Sequence, residues 1–222
     1  MTAPTPRRIA NCPLVIFIAY TVGADAEPRG YSDWLVAVDN PFFNTIPGTR
    51  CYANWRVGQV LAGGPLDWDY FDFQGLDSES DLERVWFNPD LDAFRAEWLR
   101  LWGYGRPKAL DVHRHAYVMR PVTPFPTGPV PGHLRITAGV GTPPPGAMVF
   151  RVDGVLRKHF ATGGGPADGW HSPASQGNPL GLDWMALTYA DDEVAAAAGT
   201  PAAPGGVVDL TARLIAEPIA EG

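Results

Sequence analysis

Apolar and polar residues alternate with the two-residue period of a strand over Arg50–Val57, and again over Trp68–Gln74. A helical pattern follows. Asp77-Ser78-Glu79-Ser80 supplies a serine and acidic residues of the kind that satisfy the orphan N–H groups of a first turn. Leu82, Val85, Trp86, Leu91, Phe94, Trp98, Leu99 and Trp102 then recur as an apolar helical stripe, which Pro89 should interrupt or bend and Gly103 should end. Upstream, Leu14–Thr21 is almost wholly apolar, the signature of a strand buried on both faces. Gly30–Asn44 reads as a helix capped by Ser32 or Asp33, with Trp34, Leu35, Val38 and Phe42 inward and an end near Asp39, because Pro41 opposes its continuation. Leu110–Arg120 reads as a fourth strand. Residues 1–120 therefore spell β-α-β-β-α-β, a ferredoxin-like unit.

Residues 121–132 are Pro-rich and read as a stiff linker. Beyond it, His133–Val140 predicts a strand. Ala147–Ala161 predicts a hairpin turning at Val152-Asp153-Gly154-Val155. Thr162–Gly181 is a Gly/Pro-rich loop, Leu182–Tyr189 a strand, Asp191–Ala198 a short acid-capped helix and Val207–Ile219 a last strand. Leu66-Asp67-Trp68 and Leu182-Asp183-Trp184 open corresponding strands of the two halves, each followed by an acidic helix start. Residues 133–222 are thus expected to be a second, degenerate ferredoxin-like unit that has lost most of its first helix. The expected fold class is α+β: tandem ferredoxin-like units whose antiparallel sheets pack as a barrel.

The residues that carry a resemblance are the Ile46-Pro47-Gly48 turn, the strand with Tyr52, Asn54 and Arg56, and the run Leu76–Trp98. On these, residues 12–120 resemble the dimeric α/β-barrel superfamily, which includes EthD-like proteins, stress-responsive barrel proteins and polyketide cyclases. The resemblance implies a small-molecule enzyme or a cofactor-independent monooxygenase. Where that family often reads His-Pro-x-His, this chain has Asn88-Pro89-Asp90-Leu91, so both histidines are missing.

Composition narrows the function. The chain has 222 residues, 45% hydrophobic and 18% charged, with 23 Pro and 25 Gly, which fits ordered loops around real cores. Its net charge of −7 gives no footprint for nucleic acid or an anionic membrane. Cys12 and Cys51 are too few for a disulfide scaffold and are expected to be buried thiols. The apolar run Pro13–Tyr20 is too short to span a bilayer, and it reads as the first strand of a cytoplasmic protein. The 8 Trp suit core packing, and some of them the wall of a ligand cavity.

Two sheets packed face to face would enclose a cavity, and strand alternation selects the side chains that reach it. The more aliphatic face of each strand should lie under the helices. That leaves His113, His115 and Tyr117 on the fourth strand, Tyr52, Asn54 and Arg56 on the second, and Tyr70 and Asp72 on the third. His113, His115 and Asp72 are the catalytic candidates. A buried Asp beside a His orients the imidazole and raises its basicity, while Tyr and Arg stabilise an enolate or phenolate oxygen. Tyr52, Asn54, Arg56, Tyr70, Tyr117, Trp170 and His171 are the substrate-binding candidates, the last two from a lid-like loop. Each has a plain alternative: a His pair on a strand is commonly structural, and Asp72 could pair with Arg56 across the hairpin. No zinc spacing, Walker, dinucleotide or nucleophile-elbow motif is present, so no metal and no organic cofactor are expected. The reading is cofactor-free acid/base chemistry (cyclase, isomerase, dehydratase or lyase) on a hydrophobic, aromatic or polyketide-like small molecule. The alternatives are a cofactor-independent monooxygenase and a non-catalytic binding protein. The partner is a small substrate, and the chain is expected to be a monomer with a fused barrel or a homodimer.

Overall fold

The computed structural model describes residues 9–63, 66, 68–103, 115–123, 130–157, 169–171, 180–199 and 205–217. The first half contains β1 (Leu14–Tyr20), α1 (Tyr31–Trp34) continuing through a π turn (Leu35–Asp39) into α2 (Asn40–Asn44), β2 (Thr49–Ala62), β3 (Tyr70–Leu76), α3 (Asp81–Trp86), α4 (Asp90–Leu101) and β4 (His115–Pro121). The second half contains β5 (His133–Gly139), β6 (Met148–Arg157), β7 (Gly169–His171), β8 (Trp184–Ala190), α5 (Glu193–Ala198) and β9 (Gly206–Ala216). Among the described residues, no helix is long and apolar enough to cross a membrane.

All strand pairs are antiparallel, and the sheet order is β4-β1-β3-β2-β9-β5-β8-β6-β7 with a further β4–β6 pairing. That pairing closes eight strands into a barrel, and β7 adds to the end of β6. The first-half order β4-β1-β3-β2 is that of a ferredoxin-like unit. The second-half order β9-β5-β8-β6 is the same permutation, with a helix again between its third and fourth strands. The halves join edge to edge through β2–β9 and β4–β6, so neither leaves a long unpaired edge.

The barrel is filled. Val15, Phe17, Ala19, Cys51, Ala53, Trp55, Phe71, Phe73, Tyr117, Met119, Ile136, Phe150, Met185 and Leu210 belong to one apolar cluster inside it. The alternate residues of the same strands, including Leu14, Ile16, Ile18, Tyr20, Tyr52 and Tyr70, pack outward against Tyr31, Leu35, Val85, Trp86, Leu91 and Trp98 of the helices. β1 is buried at every position because one face looks into the barrel and the other lies under helices.

Three local expectations are corrected. The helix does not end near Asp39; it runs to Asn44, and the π turn absorbs Pro41, with Asn40 N–H bonding Leu35 C=O five residues back. A wider turn advances fewer degrees per residue. It therefore rotates Asp39 inward, where it is buried, and leaves Val38 exposed, the reverse of the simple helical stripe. Secondly, Val152-Asp153-Gly154-Val155 is not a hairpin turn. β6 continues through it with a register shift opposite Val118 and Met119, and the Asp153 carboxylate is held by Arg120 and Arg151. Thirdly, Arg56 does not pair with Asp72: it sits opposite Tyr70 in register and forms an ion pair with Glu27 at 3.0 Å. Pro89 does separate α3 from α4, as its missing N–H requires.

Candidate functional site

Tyr52, Asn54 and Asp72 do come together, but on the helix-covered face of the sheet and not inside the barrel. The sequence argument sent the aliphatic faces under the helices. The opposite arrangement wins because an eight-stranded barrel is just filled by large apolar side chains, which offer a carboxylate no partners. The helix layer brings polar side chains of its own.

Asn54 and Asp72 are directly opposite each other on β2 and β3. The Asn54 Nδ2 donates to Asp72 Oδ1 and to Asp39 Oδ2, both at 2.8 Å. Asp72 Oδ2 accepts from the Tyr52 hydroxyl at 2.7 Å, and its Oδ1 also accepts from Tyr20 at 3.3 Å. The Tyr31 hydroxyl donates to Tyr20 at 3.1 Å and accepts from Trp98 Nε1 at 3.0 Å. Asn40 fixes Asn54 by donating to its Oδ1 at 2.9 Å, and also donates to the Tyr52 carbonyl at 3.0 Å. Asn44 accepts from the Tyr52 N–H at 2.9 Å. On the edge away from β3, β2 lacks a strand neighbour here, since β9 first pairs at Asn54. Asparagines from α2 thus take over the ladder bonds that β9 does not supply.

Two carboxyls in one buried network make the electrostatics unusual. Burial lifts the Asp39 carboxyl from its ordinary 3.8 to about 7, against the lowering effect of hydrogen bonds from Asn54 and Tyr52. Asp72 is also pushed well up, first by burial and then by the charge of Asp39. Burial likewise raises the hydroxyls of Tyr20, Tyr31 and Tyr52 well above their usual value. Near neutral pH the pair therefore holds a proton, as like charges in a dry site require.

Both carboxyls line a pocket with a cavity volume of about 40 Å³, walled by Phe43, Trp86, Phe94 and Trp98 and bounded by Tyr20, Tyr52 and Arg95. That is room for a few solvent-sized atoms. Arg95 is buried; its guanidinium stacks on the Trp86 ring at 4.7 Å, donates to the Trp86 carbonyl at 3.0 Å and stands 3.8 Å from the Asp92 carboxylate.

Tyr70, Arg56 and Tyr117 fall elsewhere. Tyr70 and Arg56 form a neighbouring cluster around Glu27, which accepts from the Tyr70 hydroxyl, from Ser32 and from Arg56. Tyr117 packs inside the barrel, where burial raises its hydroxyl. His113 lies outside the described residues. His115 is placed only by its backbone, which pairs with Ala19, and Trp170 and His171 only by the backbone of β7 opposite Leu156 and Val155. Among the described residues, no group of three or more His, Cys, Asp or Glu side chains is arranged to hold a metal ion.

Sequence reasoning missed Tyr20, Tyr31, Asp39, Asn40, Arg95 and Trp98 as members of the site. One signal was present: Asp39-Asn40 stands before a proline inside an apolar helix, where a helix interior gives a carboxylate no reason to be.

No known protein family matches the chain, and no curated protein matches it. Among solved structures it is similar to a crystal structure described as a candidate chlorite dismutase, with 10% sequence identity, a TM-score of 0.47, and coverage of 90% of this chain and 93% of that one. The fold assignment rests on the strand order and barrel closure given above.

Proposed function

We propose that the chain is a small-molecule enzyme that performs acid/base chemistry without an organic cofactor, at the Asp39–Asp72 pair beneath the helices. The observation that carries this reading is a single amide, Asn54 Nδ2, holding two buried carboxyls of unequal environment at the wall of one pocket. Asp39, with its carboxyl at about 7, is the base: at neutral pH a large share is ionised, and its basicity suits proton abstraction. Asp72, raised further by the charge of Asp39, keeps its proton and donates it, oriented by Tyr52 and Tyr20. Aromatic walls favour a flat, largely apolar substrate. The reactions in reach are those in which a proton leaves one atom and another is delivered nearby: isomerisation, dehydration, cyclisation or lyase-type cleavage. The second half, with its matching strand order, we read as a degenerate ferredoxin-like repeat, which would place the chain among fused members of the dimeric α/β-barrel superfamily.

The test is deuterium exchange. A panel of small enolisable aromatic ketones and β-keto acids is incubated with the protein in D₂O, and label uptake is read by NMR. At least one compound should exchange, and Asp39→Asn should slow it by roughly 10²-fold or more, the usual range for losing a general base. His113→Ala/His115→Ala should leave the rate unchanged. Exchange that survives in Asp39→Asn/Asp72→Asn but disappears in the double histidine variant would move the chemistry to the histidines. A binding function without catalysis is the rival, favoured by the three donors that already engage Asp72. It predicts ligand capture with no exchange for any compound.

A further inference from the structure

Trp86 ends α3, and its side chain, 4% exposed, stands in the wall of the cavity that Asp39 and Asp72 also line. Among the described residues its indole Nε1–H has no hydrogen-bond partner. A buried indole N–H ordinarily finds an acceptor, because losing water without gaining one costs free energy. The other aromatic donors of the wall are committed within the protein: the Tyr20 and Tyr52 hydroxyls to Asp72, and Trp98 Nε1 to the Tyr31 hydroxyl. Arg95 is engaged by Trp86 and by the Asp92 carboxylate. That engagement fixes Trp86: the guanidinium lies over its ring at 4.7 Å and donates to its carbonyl, one of those that the end of α3 leaves without a helical partner. A cation over the π face also draws electron density from the ring, which strengthens the N–H as a donor. Trp55, Trp102 and Trp184 bury indole N–H groups without such a partner too, but they do not belong to this wall.

We propose that the Trp86 Nε1–H binds the substrate's carbonyl oxygen, and that the substrate is a neutral aryl ketone whose oxygen enters the cavity while its ring lies at the mouth. The inference rests on the proposed acid/base reading for its chemistry, but not for its binding. A cavity of about 40 Å³ admits a carbonyl and its neighbouring carbon, and a space that small brings an atom inside it close to every wall. The indole donor carries no charge, and two carboxyls beside it disfavour an anion, so a neutral acceptor fits. In the reaction, Asp39 takes a proton from the carbon next to the carbonyl. The C–H electron pair becomes the C=C bond of the enol, and the carbonyl π pair moves onto oxygen, where Asp72 delivers its proton. Negative charge gathers on that oxygen before the proton arrives, so the Trp86 hydrogen bond is stronger in the transition state than in the ground state. Reversal of these steps in D₂O leaves deuterium on the carbon.

The probe is acetophenone, with α-methylstyrene as its isosteric counterpart lacking the oxygen. Each is titrated into the full, isotope-labelled chain, whose indole N–H signals are assigned by triple-resonance NMR. Acetophenone should move the Trp86 indole proton downfield and leave those of Trp55, Trp102 and Trp184 in place; α-methylstyrene should not move it downfield. Trp86→Phe removes the donor, and should lower the affinity for acetophenone relative to α-methylstyrene about tenfold. It should also slow deuterium exchange by roughly 10²-fold, the usual range for losing one donor to a developing oxyanion. Failure of acetophenone to bind the native protein, or binding that leaves the Trp86 proton where it was, overturns the inference whether or not Trp86→Phe folds. A folded Trp86→Phe variant with an unchanged affinity ratio overturns it as well. A downfield shift without exchange for any ketone retains the carbonyl site and removes the catalytic reading, whereas exchange without the shift does the reverse, so the two failures are separable.

Discussion

Replacing Asp39 with asparagine tests the electrostatic reasoning directly. The side chain keeps its shape, and its amide oxygen still accepts from Asn54 Nδ2, so the 2.8 Å bond survives. What disappears is the ionisable group. A carboxyl raised in the folded state binds its proton more tightly there than in the unfolded chain, where it titrates near 3.9. Stability is therefore fully present below about pH 4, and falls as pH rises toward the folded value of about 7, above which it levels off. A rise from 3.8 to about 7 corresponds to roughly 4 kcal/mol at 1.36 kcal/mol per pH unit. About a third of this is already lost by pH 5, leaving roughly 2–3 kcal/mol between pH 5 and pH 8; at roughly 2–4 °C per kcal/mol for a chain of 222 residues, the native protein should lose about 5–10 °C over that range from this group. The assay is thermal unfolding by circular dichroism at half-unit steps from pH 5 to 8.5. Asp39→Asn should flatten the curve and exceed the native Tm at pH 8. A second effect has the same sign: without the charge of Asp39, Asp72 ionises more readily and its own penalty shrinks. Parallel curves for the two proteins would show that Asp39 is not titrating in a dry site, and would also remove the basis for its role as a base.

Three further outcomes follow from the packing. Gly75→Ala should destabilise by roughly 1–3 kcal/mol in urea unfolding, because its new Cβ would lie 2.2 Å from the Cys12 sulfur and 2.8 Å from that of Cys51. Arg135→Met should cost about 3–5 kcal/mol, since it strands the buried Asp209 carboxylate that Arg135 grips through two 2.7 Å bonds; adding Asp209→Leu should recover most of that loss. Asn54→Ala removes the amide that both carboxyls share and should cost more at pH 8 than at pH 5, measured by the same melts, because the ionised acids depend on that donor most.

By itself, the pattern of residues determined the order of elements in the first half, the break at Pro89 and the buried β1, because these follow from local spacing, turn chemistry and the absence of a proline N–H. It also named Tyr52, Asn54 and Asp72 as cavity-facing polar residues, alongside Arg56, Tyr70, His113, His115 and Tyr117. Only the tertiary structure decided which way those residues face. Period-two alternation divides a strand into two sides without saying which is inside. Here both sides are buried, and the barrel interior took the phenylalanines. Nor was the partner set legible, since Asp39 reaches Asn54 only through a π turn that rotates a helix by part of a residue, and Arg95 and Trp98 arrive from a helix distant in sequence. A site assembled from three layers has no local spacing to read; its geometry is a property of the packing.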